Sequence, residues 1–201
     1  MKNSLIILSF FSLGILLGYN NLLPAFLHAG SSTKYALYFL MFIVGISIGA
    51  DKNSISIIKN FDFRLLLVPI ATLIGTFSGV AVISLFLRDY SILEAMAVGS
   101  GFGYYSLSSI IITEIHSAEL GVIALLSNIM REVFTLLLAP VMVLIFGKLA
   151  PISSAGATSM DTCLPIIASS SGKGYVLVAL FHGILLTIVV PLLVSFILSL
   201  N

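Results

Sequence analysis

The chain has 201 residues, of which 59% are hydrophobic and 8% charged, with a net charge of +1 and a mean hydropathy of +1.20. Nine Lys and Arg with eight Asp and Glu cannot clothe a soluble surface, where about a quarter of residues are normally charged, so residues 1–201 read as one integral membrane domain. The lack of any basic cluster excludes nucleic acid as a partner, and the single Cys163 excludes an intrachain disulfide.

With roughly 20 apolar residues needed to cross a bilayer, the first candidate span is Leu5 to Leu27. Lys2 precedes it as in a signal peptide, but the run is too long and no small-residue cleavage pattern follows, so it reads as retained. Lys34 to Ala50 is the second span, and Leu65 to Leu87 follows a basic connection with Lys52, Lys59 and Arg64. Leu120 to Phe146 and Tyr175 to Leu200 complete the uninterrupted runs. The expected fold is therefore all-α and polytopic, with about five full spans.

Two polar, glycine-rich stretches interrupt the hydrocarbon: GSGFGYYSLSS at Gly99 to Ser109 and SSAGATSMDTCLP at Ser153 to Pro165. They predict two broken or re-entrant helical elements, from about Ile92 to Thr113 and from about Pro151 to Ser169. Non-helical backbone at bilayer depth survives only where protein buries it or where it lines a polar cavity. A pair of such interruptions in corresponding places is the sequence mark of a transporter's binding site. Lys and Arg enrichment places Lys2, the Lys52/Lys59/Arg64 loop, Lys148 and Lys173 in the cytoplasm, with Glu114 to Glu119 outside. Arg88, offset by Asp89, and Lys34 are the outlying cations. If both broken elements return to their own side, Leu65 to Thr113 and Leu120 to Ser169 form an inverted repeat.

Several residues in these elements point to chemistry. Gly99, Gly101 and Gly103 alternate beside Tyr104, Tyr105 and Ser106, where unwinding costs little and a ligand can approach the backbone. Close helix packing is the alternative use of such small residues. In the second element Gly156, Thr158 and Ser159 precede Asp161, whose helix Pro165 weakens. An acid at bilayer depth is expensive and by default functional; its structural alternative is to cap the helix that follows. Asn128, Arg131 and Glu132 fall inside an apolar span, and adjacent residues on a helix diverge by about 100°. Arg131 and Glu132 therefore need separate partners, Asp161, a backbone carbonyl or substrate being candidates for Arg131, and Asn128 is a further substrate-binding candidate. His182, in LFHGIL, is a candidate proton carrier or a neutral hydrogen-bonded residue. Glu114 and His116 would guard an entrance or be solvated.

GSGFGYYSLSSIIITE, SNIMREVFTLLLAP, GATSMDTCLPII and LFHGILL occur in an order that resembles the LysO-type lysine exporter family, and LYFLMFIVGISIGADKN is similar to the family's earlier span and basic loop. The resemblance implies a transporter, not an enzyme, exporting L-lysine and toxic analogues such as thialysine across a bacterial cytoplasmic membrane, its surroundings membrane lipid. Longer members carry about a hundred further N-terminal residues. The expected partner is thus a second copy of the chain, as a homo-oligomer, or a small membrane protein supplying those spans.

Lysine carries two ammonium groups and one carboxylate. Glu132 and Asp161, with Glu114 beside them, are candidates for the ammonium groups, and the Gly99 to Gly103 and Gly156 to Ser159 backbones for the carboxylate. Glu132, Asp161 and His182 are candidates for proton coupling in an antiport cycle. No nucleotide loop, metal-ligand cluster or other cofactor motif is expected. Neither a GxSG serine nor a GxGD aspartyl protease motif is present. Export of another amino acid or organic cation, and a subunit role, are the alternative functions.

Overall fold

The computed structural model describes residues 63–200 apart from Arg88, together with the isolated helical positions Leu13, Leu16, Leu17, Tyr35, Phe39, Phe42 and Ile46. The chain forms two compact units, Met1–Ile43 and Val44–Asn201, and the site lies in the second. The expected spans Leu5 to Leu27 and Lys34 to Ala50 lie outside the continuously described residues.

Among the described residues every regular element is helical, and three helices are long and apolar enough to cross a membrane. The first, α1 (Leu67–Ser84), follows a 3-10 turn at Phe63–Leu66. α2 (Ile92–Gly99) and α3 (Tyr105–Ile115) are the two arms of the first broken element. α4 (Ala118–Phe146) is the long central helix, about 43 Å at 1.5 Å per residue. The second broken element comprises α5 (Ala150–Ala155), a 3-10 stretch at Gly156–Met160 and α6 (Leu164–Ser170). After a 3-10 turn at Lys173–Tyr175, α7 (Val176–Leu198) closes the chain.

Local chemistry sets these boundaries. Ser91 and Glu94 form a reciprocal capping box that starts α2, and Ser117 Oγ accepts from Leu120 N–H at 3.2 Å to start α4. Gly147, at φ 86°, ends α4. Pro165 stands in the first turn of α6, where its missing N–H costs nothing. The flanks of α4 expose Leu137, Leu144 and Phe146, a surface suited to hydrocarbon rather than water.

Both broken elements double back. At the ends of the first, Glu94 Oε1 lies 3.1 Å from His116 Nε2, and the Tyr90 hydroxyl donates to Glu119 at 2.8 Å. That hydrogen bond raises the Tyr90 phenol above its ordinary pKa. His116 and Glu119, readable in sequence as solvated connection residues, thus tie the mouth of this hairpin. At the ends of the second, Lys148 Nζ sits 5.7 Å from the centre of the Tyr175 ring. The core beneath it joins Val68 of α1, Ile152, Ala155, Cys163 and Ile167 of the hairpin and Ala179 of α7. Cys163 is a small packing residue there, its thiol 3.3 Å from Thr158 Oγ1.

The hairpins cross at their unwound tips. Ala157 N–H donates to the Phe102 carbonyl at 2.8 Å, joining backbone of one to backbone of the other. Gly156, at φ 67°, presses so closely on Phe102 that an added Cβ would run into its carbonyl oxygen. Gly103, at φ 87°, meets the Ala155 carbonyl in the same way, a Cβ lying 2.7 Å from it. Gly156→Ala therefore combines a left-handed backbone penalty of about 1–3 kcal/mol with a backbone clash. It should lower the thermal midpoint of the detergent-solubilised protein by several degrees, whereas Gly79→Ala, with nothing within 4 Å of its Cβ, should leave it unchanged or raise it.

Candidate functional site

The crossing separates two cavities. One, of about 160 Å³, is lined by Gly103, Tyr104, Tyr105 and Ser106 of the first tip, Ala157, Thr158, Met160, Asp161 and Thr162 of the second, and Glu132 and Thr187. This cavity brings together seven residues singled out in the sequence, two of them acids contributed by different elements. The positive end of α3 is at its wall, because Tyr104 is the N-cap and Tyr105 and Ser106 open the helix with N–H groups that have no intrahelical acceptor.

Asp161 is exposed rather than buried. Its Oδ1 accepts from Thr162 N–H at 2.6 Å, and α6 begins only at Leu164 with Cys163 as its N-cap, so Asp161 does not cap that helix. The turn Asp161–Cys163 leaves Asp161 at the cavity wall instead.

The other cavity, of about 290 Å³, lies between α1, α2 and α4, with Leu87, Tyr90 and Leu120 at one end and Thr76, Asn128 and Arg131 at the other. Gly99 lines it too. Arg131 and Glu132, adjacent on α4, thus face different cavities. The Arg131 guanidinium does not pair with Asp161. Nε donates to the Ser154 carbonyl at 2.7 Å and Nη2 to the Ser153 carbonyl at 2.9 Å, and the group lies over the Phe102 ring at 5.6 Å. Of the protein partners open to it in sequence, the backbone carbonyl is the one it takes. It satisfies the last carbonyls of α5, where the helix breaks and intrahelical donors run out.

Asn128 forms the partition. Its Oδ1 accepts Gly103 N–H at 2.8 Å, and its Nδ2 donates to the Ala124 and Val98 carbonyls at 2.9 and 3.2 Å. Gly101 sits against it, an added Cβ lying 2.6 Å from Asn128 Nδ2. Asn128 and Gly101 are thus supports of the unwound tip and line no part of the cavity between the tips. Ser159 and His182 are buried behind the second tip, and Glu114, in the last turn of α3, lines neither cavity. Thr187 lines the cavity although nothing in sequence marked it, and Met160 and Thr162 line it as members of the second polar stretch that carried no individual role. Thr72 and Thr76, one turn apart on α1, were also passed over, and they face His182 and Arg131. Hydroxyls at helical spacing inside an apolar span were the available signal.

Among the described residues no group of three or more His, Cys, Asp or Glu is placed to hold a metal ion. A polar cavity between crossed, interrupted helices inside a bundle of membrane-length apolar helices defines an integral membrane protein with a solute-sized internal site.

The lysine exporter LysO family model matches residues 8–198, and the chain belongs to that family, a family of transporters and not of enzymes. It is 33% identical over 185 residues to the lysine exporter LysO of Escherichia coli, a match covering 92% of this chain and 60% of that protein. It is 34% identical over 191 residues to a putative lysine exporter of Haemophilus influenzae, covering 94% of this chain and 95% of the relative. No solved structure gives a significant match.

Removing Asn128 tests the partition. Asn128→Ala leaves the buried Gly103 N–H without its acceptor, a loss of about 1–3 kcal/mol. The expected outcome is a lower unfolding midpoint, together with faster amide exchange at Gly101 to Tyr104 than in the parent.

Proposed function

We propose that this protein exports L-lysine across the bacterial cytoplasmic membrane in exchange for protons, binding it in the cavity between the hairpin tips. Family membership and the names of the two relatives support the substrate. The observation that carries the reading is the meeting of Glu132 and Asp161, from α4 and from the second tip, around one cavity with the positive end of α3. The carboxylates take the two ammonium groups, and the first turn of α3 takes the carboxylate. Tyr104, Ser106 and Thr158 supply neutral hydrogen-bonding groups at the same wall. Thialysine, which replaces one side-chain methylene by sulfur, presents the same three charges and is accepted at the same site.

The two hairpins enter from opposite membrane faces, the first from outside and the second from the cytoplasm. Supporting this, the ends of the first carry one cation, Arg88, beside Asp89, Glu94, Glu114 and Glu119, whereas those of the second carry Lys148 and Lys173 and no acid. α1 with the first hairpin and α4 with the second then form an inverted repeat.

Moving a monocation out of a negative interior costs about 2.3 kcal/mol per 100 mV. Exchange for one proton removes that electrical cost, and a carboxylate that binds either a proton or an ammonium enforces the exchange. Glu132 and Asp161 are the groups placed to do so. In proteoliposomes, labelled lysine efflux should rise with an imposed proton gradient, and Glu132→Gln or Asp161→Asn should cut the gradient-driven component at least tenfold. Undiminished coupling in both variants would refute the assignment, and stronger competition by ornithine, arginine or a neutral amino acid than by lysine would move the substrate.

A further inference from the structure

His182 has no exposed surface and joins α7 to two other elements at once. Its Nδ1 is 3.2 Å from the Gly156 carbonyl and 3.2 Å from Ser159 Oγ, both in the unwound stretch of the second hairpin. Its Nε2 is 3.0 Å from Thr72 Oγ1 of α1. Beside it, Gly183 brings α7 into direct contact with the same stretch, an added Cβ lying 2.8 Å from the Ala157 carbonyl.

The bonding pattern assigns one ring proton. A carbonyl only accepts, so Nδ1 carries hydrogen toward Gly156. Ser159 Oγ donates to the Ala179 carbonyl at 2.8 Å and is free to accept a share of the same N–H. Nε2 shares the Thr72 hydroxyl with the Val68 carbonyl, to which that hydroxyl donates at 3.0 Å. The Nδ1–H thus adds a side-chain donor to the Gly156 carbonyl at the start of the 3-10 stretch, where the backbone turns at φ 67°.

We propose that His182 is a positioning residue, whose Nδ1–H holds the Gly156 carbonyl and so keeps the second hairpin unwound at the crossing, with Asp161 presented to the cavity. The inference rests on the lysine-export reading for its transport consequence, though not for its structural one. It differs from proton carriage, which needs the ring to titrate.

Two isosteres separate these roles. Asparagine places an N–H near the position of Nδ1 and does not titrate; glutamine reaches toward the position of Nε2 and removes the side-chain donor from the Gly156 carbonyl. His182→Asn, made in the full chain, should keep lysine efflux within about twofold of the parent with the same pH profile. It should also keep amide exchange at Ala157 to Cys163 slow. His182→Gln should lower efflux at least tenfold and speed that exchange, while Thr72→Val, which spares the Gly156 bond, should change neither. A flattened pH profile in His182→Asn, parent-like exchange in His182→Gln, or loss of protection in Thr72→Val equal to that in His182→Gln would each overturn the proposal. If the parent moves no lysine, the export reading fails, and the exchange comparison still decides the role of His182.

Discussion

The structure depends on one constraint: backbone that leaves the helix inside a membrane must find its hydrogen bonds within the protein. The Ala157 to Phe102 bond at 2.8 Å meets it by pairing the two irregular stretches with each other. Such close approach is possible only because Gly103 and Gly156 lack side chains at the contact and tolerate positive φ. Phe102, itself at φ 43° and fully buried, is held by the Phe77 ring edge-on at 5.6 Å. The remaining loose ends are taken up by side chains from the surrounding helices. Asn128 accepts Gly103 N–H, Arg131 covers the Ser153 and Ser154 carbonyls, and His182 lies at the Gly156 carbonyl.

Those polar residues are therefore of two kinds. Asn128, Arg131 and His182 hold the unwound backbone in place, whereas Glu132 and Asp161 face the open cavity without an ion-pair partner among the described residues. The divergence of adjacent helical positions makes the division possible at Arg131 and Glu132: one points to the broken end of α5, its neighbour to the cavity. A cation spent on carbonyls leaves the acids available to a cationic solute. This is the electrostatic arrangement that export of lysine requires, and a direct Arg131–Asp161 pair would have cancelled it.

Much of the architecture was legible in the chain itself. The breaks at Gly99 to Ser109 and Ser153 to Pro165 emerge where they were expected, and the helices that flank them end within a few residues of the expected bounds, because glycine runs and apolar length are local signals. Partnerships were less legible. Nothing in the sequence distinguishes a carbonyl from a carboxylate as the partner of Arg131, since every residue offers a carbonyl. Glu94, His116, Tyr90 and Glu119 look like ordinary polar residues at a membrane edge until folding draws the hairpin ends together. Asp161 was read as a possible helix cap, but the turn through Cys163 delays α6 and frees the carboxylate. Thr187 and Met160 reached the cavity wall through the packing of α7 and the second tip, for which a hydrophobic pattern carries no mark.

The central claim is that the hairpins approach one another from opposite faces of the membrane. Side-specific thiol labelling tests it most directly, with single cysteines introduced at Asp89, Ser117, Lys148 and Lys173 in a Cys163→Ser background. An impermeant reagent applied to intact cells should label both ends of the first hairpin and neither end of the second, with the pattern reversed in inside-out vesicles. Labelling of Asp89 and Ser117 positions from opposite sides, or of Lys148 and Lys173 positions from opposite sides, would contradict the account.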